Sequence, residues 1–133
     1  MRIKEIKSKK ILIAIVVYKE FKKKGIHFFT PNNFPQQLGY MNRPKNYVIK
    51  PHKHRKVVRQ IDKVQEVLFI KKGRLQVDLY NPSGKFISKQ ILKTGDCIFL
   101  SSGGHGFKML TNTEILEVKL GPYLGIKEKK YFK

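Results

Sequence analysis

The sequence predicts a small all-β protein, and three observations support this prediction. From residue 47 onward, apolar and polar residues alternate in short runs, which is the period of half-buried strands. Turn-forming stretches such as Asn81-Pro82-Ser83-Gly84 and Thr94-Gly95-Asp96 separate these runs. No stretch of ten residues in this half has a helical period. Many short strands at such spacing are typical of a sandwich or barrel.

The elements are predicted in chain order. Residues 1–46 are expected to form an N-terminal strand and loop extension, with a strand over 9–18, a short helix beginning within 21–24 and a strand candidate over 36–41. Seven strands are then expected in the barrel core, residues 47–119: Tyr47–Lys50, Gln65–Lys71, Arg74–Tyr80, Phe86–Leu92, Cys97–Leu100, Gly106–Leu110 and Glu114–Lys119. Residues 120–133 form a C-terminal tail, and the length of 133 residues predicts one domain, 1–133.

The apolar runs and the single cysteine indicate in which cellular compartment the protein is expected. The longest apolar run, Ile11 to Val17, is too short to span a bilayer, and no small-residue cleavage site follows it. The single cysteine, Cys97, excludes an internal disulfide and fits a reducing compartment. We therefore expect a cytoplasmic protein without a membrane partner.

The formal net charge of +20 is the strongest compositional feature. Lysine and arginine favour anionic partners, because they release counterions from phosphates. However, the basic residues are spread along the chain, and no zinc-finger spacing, helix-turn-helix pattern or aromatic RNA-binding consensus is present. The pattern predicts no specific nucleic-acid partner and accounts equally well for attraction of an anionic small molecule.

Glu66 is predicted to point into the protein. The Lys72-Gly73 pair suits a two-residue hairpin loop, which would place Glu66 on one face with Leu68, Ile70 and the apolar residues of the next strand. A carboxylate on such a face is costly unless it has a partner.

His52 and His54 are candidate partners for that carboxylate. Two residues separated by one position share a face of a strand, and a hairpin centred near Gln60 would set His54 opposite Glu66. Two imidazoles and a carboxylate form a suitable ligand set for Zn, Fe, Mn, Ni or Cu. The alternative is that both histidines lie at an exposed strand end, and spacing alone leaves the two readings open.

Residues 46–110 resemble the two motifs of the cupin family. His52-Lys53-His54, Glu66 and Gly73 match the end of the first motif, and Gly95 to His105 is similar to the second. The sequence departs from the pattern at Asn46, at the eleven residues between His54 and Glu66, at Ser101 and at Met109, and His105 falls one residue early. The resemblance implies an antiparallel double-stranded β-helix, or jelly-roll barrel.

The resemblance also implies a site and a set of functions. It predicts that His52, His54, Glu66 and His105 bind one divalent transition metal, that Glu66 is catalytic, and that Lys56 and Phe107 contact the substrate. A metal-dependent isomerase, epimerase or dioxygenase acting on a small anionic molecule, including sugar-nucleotide substrates, is one expectation. A non-catalytic ligand-binding module and a basic nucleic-acid-binding protein are the alternatives, and family members are commonly homodimers.

Overall fold

The computed structural model describes residues 2–125 and 129–131, which contain ten strands and no α-helix. The strands are β1 Ile3–Ser8, β2 Ile11–Val17, β3 Gly25–Phe28, β4 Gly39–Asn42, β5 Glu66–Lys72, β6 Arg74–Tyr80, β7 Phe86–Lys93, β8 Cys97–Leu100, β9 Gly104–Met109 and β10 Glu114–Lys119. The all-β prediction is therefore confirmed. Within these ranges, no helix is long and apolar enough to cross a membrane.

The chain divides into two compact units. One consists of Met1–Phe21 with Lys63–Lys133, and the other of Lys22–Asp62. The single domain predicted over 1–133 stays a prediction.

The first unit contains two antiparallel sheets whose apolar faces form one core. The five-stranded sheet has the order β1-β2-β8-β5-β10, and the three-stranded sheet has the order β7-β6-β9. The core contains one set of alternating side chains from each central strand: Leu68 and Ile70 of β5, and Leu75, Val77 and Leu79 of β6. No closed barrel is found in the part of the chain that the structure describes, so the predicted closure is not observed.

The predicted hairpin between β5 and β6 is wrong. β5 pairs with β8 and β10, whereas β6 pairs with β7 and β9, so the two strands belong to different sheets. Gly73, at φ +106°, turns the chain from one sheet to the other, and its backbone bonds to Thr94 rather than closing a hairpin. The inward direction predicted for Glu66 is nevertheless correct, because the side-chain period of β5 alone sets it.

The N-terminal region forms more sheet than expected. The strand predicted over 9–18 is present as β2, and β1, which was not predicted, pairs with it through a turn that contains Lys9 at φ +56°. β1 was not predicted because its two apolar residues, Ile3 and Ile6, are three positions apart and so show no alternation. The helix expected from residues 21–24 does not form.

The second unit holds one hairpin and a long irregular stretch. β3 pairs with β4, near the strand predicted over 36–41. Residues 43–65 contain no strand, so the strand predicted at Tyr47–Lys50 is wrong. Asn46 adopts a left-handed conformation, φ +71°, and the Tyr47 amide donates to the carbonyl of Pro44, which closes a turn where an extended strand was expected.

Candidate functional site

Glu66 is a buried carboxylate in the interior of the first unit. It begins β5, the fourth of five strands, and its neighbours across the sheet are Leu100 of β8 and Lys119 of β10. Because directly paired residues share a face, Glu66 lies on the core side with Leu100, and only 8% of the residue is exposed. An unpartnered carboxylate at this position would be costly.

His105 supplies the partner from the opposite sheet. It lies on β9 across from Leu79, which is fully buried, so the imidazole is on the core side. Its Nε2 lies 3.1 Å from Oε2 of Glu66, and this contact joins the two sheets. Phe107 stacks on the imidazole with a centroid distance of 5.1 Å, which helps to fix the plane of the ring.

The turn before β9 sets the register of β9 and so the position of His105. Gly103 adopts φ +77°, a conformation that L-residues rarely take, and a Cβ at this position would overlap the carbonyl oxygen of Tyr80. Glycine therefore allows β9 to start directly beside the end of β6, in the register that pairs Leu79 with His105.

Glu117 completes a chain of ionisable groups. It lies on β10 opposite Leu68, on the same face as Glu66, and its carboxyl hydrogen-bonds to that of Glu66. The hydrogen bond from His105 lowers the pKa of Glu66 to about 2, although burial opposes this shift. The same Glu66 carboxylate raises the pKa of Glu117 to about 7, with burial and repulsion between the carboxylates acting in the same direction. The two carboxyls thus titrate as a pair that shares one proton near neutral pH.

Lys119 adds a positive charge at the same end of the sheet. It pairs with Glu66 across β5 and β10, and its charge helps to lower the pKa of both Glu66 and Glu117. Its ammonium also lies 5.4 Å from the centre of the Tyr123 ring. The cluster therefore combines an anionic carboxylate, a proton-holding carboxyl, an imidazole and an ammonium.

His52 and His54 lie in the second unit, in the irregular stretch. Both are exposed, their ring centroids are 5.4 Å apart, and Nδ1 of His52 lies 2.7 Å from the carbonyl oxygen of Lys50. The predicted strand pairing of His54 with Glu66 is wrong, because β8 and β10 occupy both sides of Glu66. Lys56, the predicted substrate contact, is exposed in the same stretch.

The structure therefore brings together two of the four predicted metal ligands. His105 and Glu66 offer a nitrogen and an oxygen donor, which suit a divalent transition metal. Protein sites for such ions use three or four ligands, and across residues 2–125 and 129–131 no group of three or more His, Cys, Asp or Glu side chains is arranged to hold one. The four-ligand site stays a prediction.

Sequence reasoning missed Glu117 and Lys119. Of the apolar residues of β10, Ile115 packs against the core, whereas Leu116 and Val118 are 58% and 62% exposed. Glu117 and Lys119 share the face of Ile115, because they pair with Leu68 and Glu66 of β5, although Glu117 remains exposed at the sheet edge. A pattern argument that places Leu116 and Val118 in the core would turn Glu117 and Lys119 toward solvent, which is the reverse of the observed orientation. The signal that would have found them is the register of β10 on β5, which is not encoded locally.

The cluster is suited to moving a proton. The pKa of Glu66 is lowered to about 2, so this carboxyl is an anion that accepts hydrogen bonds at neutral pH. The pKa of Glu117 is raised to about 7, so this second carboxyl is the one that can bind or release a proton there. Comparison of the chain with models of protein families, with curated proteins and with solved structures finds no match.

Proposed function

We propose that the protein is a metal-dependent, cupin-type protein that acts on a small anionic molecule at the Glu66–His105 pair. The contact between the buried Glu66 carboxylate and the His105 imidazole is the observation that supports this most directly. It joins two antiparallel sheets, as expected for a jelly roll, and it involves one residue from each of the two motifs that resemble the cupin family.

In this proposal, His52 and His54 complete the ligand set when metal is present. They carry exposed imidazoles on a stretch that forms no strand, and in this proposal metal binding orders the stretch around the ion. The metal would act as a Lewis acid toward the substrate. Glu117 would hold and release a proton beside Glu66, and Lys119 would favour an anionic group at the same end of the sheet.

The test is the metal content of tag-free protein after loading with Zn²⁺, Mn²⁺, Fe²⁺, Ni²⁺ or Cu²⁺ and gel filtration, measured by elemental analysis. We expect about one ion per chain for the wild type and at least a tenfold weaker affinity for His105→Ala and for the double variant His52→Ala/His54→Ala. His27→Ala is the matched control, because His27 lies on the β3–β4 hairpin.

The outcomes separate the possibilities. Loss in His105→Ala alone would contradict the roles of His52 and His54, and loss in the double variant alone would contradict the role of the Glu66–His105 pair. Equal loss in His27→Ala, or no bound ion in the wild type, would refute the metal site. Turnover of sugar nucleotides or oxygen uptake then distinguishes an enzyme from a ligand-binding module.

A further inference from the structure

The β3–β4 hairpin of the second unit exposes its apolar face. Ile26 pairs with Met41 across the hairpin, and Phe28 lies two positions from Ile26, so the three large side chains share one face. Their exposed fractions are 46% for Ile26, 52% for Met41 and 56% for Phe28. The opposite face carries His27 and Tyr40, which are half-buried. The more apolar face of the hairpin is therefore the one in contact with water.

Gly39 allows the Phe28 ring to lie over the backbone of β4. A Cβ at position 39 would stand 2.7 Å from Cε1 of Phe28, so the ring occupies the space directly above this glycine. The ring therefore adjoins Ile26 and Met41 on the same face. Exposed apolar side chains that adjoin one another beside polar residues are typical of an interaction site.

Basic residues flank this apolar face at one end of the hairpin. Lys22-Lys23-Lys24 comes directly before β3, and Arg43 and Lys45 follow β4. Because the two strands are antiparallel, both sets lie at the same end of the hairpin. All five side chains are exposed. Cations beside an apolar face favour a partner that offers anionic groups next to hydrocarbon.

The second unit has almost no acidic residues to balance its cations. The range 22–62 contains ten lysine or arginine residues, and Asp62 is its single acidic residue. The other eight acidic residues of the chain lie outside this range. Cations without neighbouring carboxylates produce a positive potential, which attracts an anionic surface.

An anionic lipid surface suits both features better than nucleic acid or an acidic protein does. The phosphates of a nucleic acid would bind the lysines but would leave Ile26, Phe28 and Met41 in water. An acidic protein would need carboxylates fixed opposite cations that are spread over an irregular stretch, whereas lipid headgroups diffuse to meet them. At a bilayer surface, apolar side chains enter the interfacial layer while lysine and arginine stay with the headgroups.

We propose that the second unit attaches the protein to anionic lipid surfaces, with Ile26, Phe28 and Met41 inserted among the headgroups and the flanking cations bound to the anionic groups of the lipids. The expectation of no membrane partner concerned spanning segments, and attachment to a lipid surface needs none. The contact requires neither a metal nor the Glu66–His105 pair, so it stands independently of the proposed function.

Co-sedimentation with vesicles, in the presence of a chelator, tests the attachment. We expect the wild type to bind vesicles of phosphatidylcholine mixed with phosphatidylserine at least roughly tenfold more tightly than vesicles of phosphatidylcholine alone. Phe28→Ser/Met41→Ser should weaken binding to the mixed vesicles about tenfold, because the contact loses apolar area. The matched control is Leu116→Ser/Val118→Ser, which removes similarly exposed apolar side chains from the first unit and should bind as the wild type does.

A second pair of variants tests the cations. Lys22→Gln/Lys24→Gln should weaken binding to the mixed vesicles roughly tenfold, because two charges are lost beside the inserted face. This variant retains Lys23, whose Nζ lies 3.5 Å from Nδ1 of His27. Lys85→Gln/Lys89→Gln removes two exposed charges from the first unit and should weaken binding by less than about twofold.

Fluorescence locates the inserted face directly. The protein contains no tryptophan, so Phe28→Trp supplies a single reporter. Its emission should move to shorter wavelength when the mixed vesicles are added, because indole enters the interfacial layer. Phe86→Trp places the matched reporter at a position of the first unit that is 50% exposed, and its emission should not change.

Circular dichroism checks that each variant is folded. Equal binding of the wild type to the two kinds of vesicle, unchanged binding of Phe28→Ser/Met41→Ser, or an equal shift for Phe28→Trp and Phe86→Trp would each overturn the proposal. A mixed-sequence oligonucleotide and polyglutamate should leave the emission of Phe28→Trp unchanged, because they bind through charge alone. A shift with either polymer as large as that with vesicles would assign the face to that class of partner instead.

Discussion

The two pairs of predicted ligand residues lie in segments of different character. Glu66 is on β5, which pairs with a strand on each side, and His105 is on β9, which pairs with β6; their side chains meet at 3.1 Å. His52 and His54 lie in residues 43–65, where no strand forms and the histidines are exposed. Alternation of side chains predicts direction only where a sheet supplies the alternation, so that argument succeeded for Glu66 and failed for His52 and His54, whereas His105 was expected only from the resemblance to the second cupin motif.

Hydrogen exchange should show the largest difference between the two segments. Amides of β5 and β6 are expected to exchange roughly a thousandfold more slowly than amides of residues 48–64, because core strands open only with a large part of the global unfolding energy. Exchange monitored by mass spectrometry on peptic fragments measures this. Comparable protection in both segments would contradict this expectation, because it would mean that residues 48–64 form stable backbone hydrogen bonds.

Adding the metal sharpens the same measurement. If His52 and His54 join the proposed site, residues 50–56 should gain protection on loading, and the His52→Ala/His54→Ala variant should not. Unchanged exchange at these residues in protein that has bound metal would exclude them as ligands.

Core packing supplies the next largest effect. Leu79, which lies across from His105, is fully buried, so Leu79→Ala should lower the free energy of unfolding by about 2–5 kcal/mol. Val58 is fully exposed in the irregular stretch, so Val58→Ala should change it by less than about 0.5 kcal/mol. Urea denaturation followed by circular dichroism measures both. A similar loss in the two variants would mean that Val58 is buried in solution.

A pair of aspartates gives a smaller contrast. Asp96 is fully buried, and its carboxylate accepts hydrogen bonds from the backbone amides of Lys19 and Lys93, both at 2.8 Å. Asp96→Ala leaves these amides without that acceptor and should cost about 1–3 kcal/mol in the same urea assay. Asp62, the single acidic residue of the second unit, is exposed, and Asp62→Ala should be close to neutral. A neutral Asp96→Ala would contradict the assigned bonds.

The fold class followed from local information, whereas strand pairing did not. Glu66, Leu68 and Ile70 alternate within one strand, so their common face could be predicted without knowing any partner. The Lys72-Gly73 turn looks the same whether it closes a hairpin or carries the chain to a second sheet, and that choice depends on distant strands. Within the candidate site, Glu66 was predicted from this local alternation and His105 from the resemblance to the second cupin motif, while Glu117 depended on a register that no local pattern shows.

Gly103 limits how this protein can be altered by directed evolution. Any side chain there would collide with the Tyr80 carbonyl, so a substitution library should return glycine alone at this position. Gly106, two positions further along the chain from Gly104, has open space where a Cβ would stand, and alanine should be accepted there. Engineers who wish to vary the chemistry around His105 therefore have freedom on β9 itself but none in the turn that leads into it.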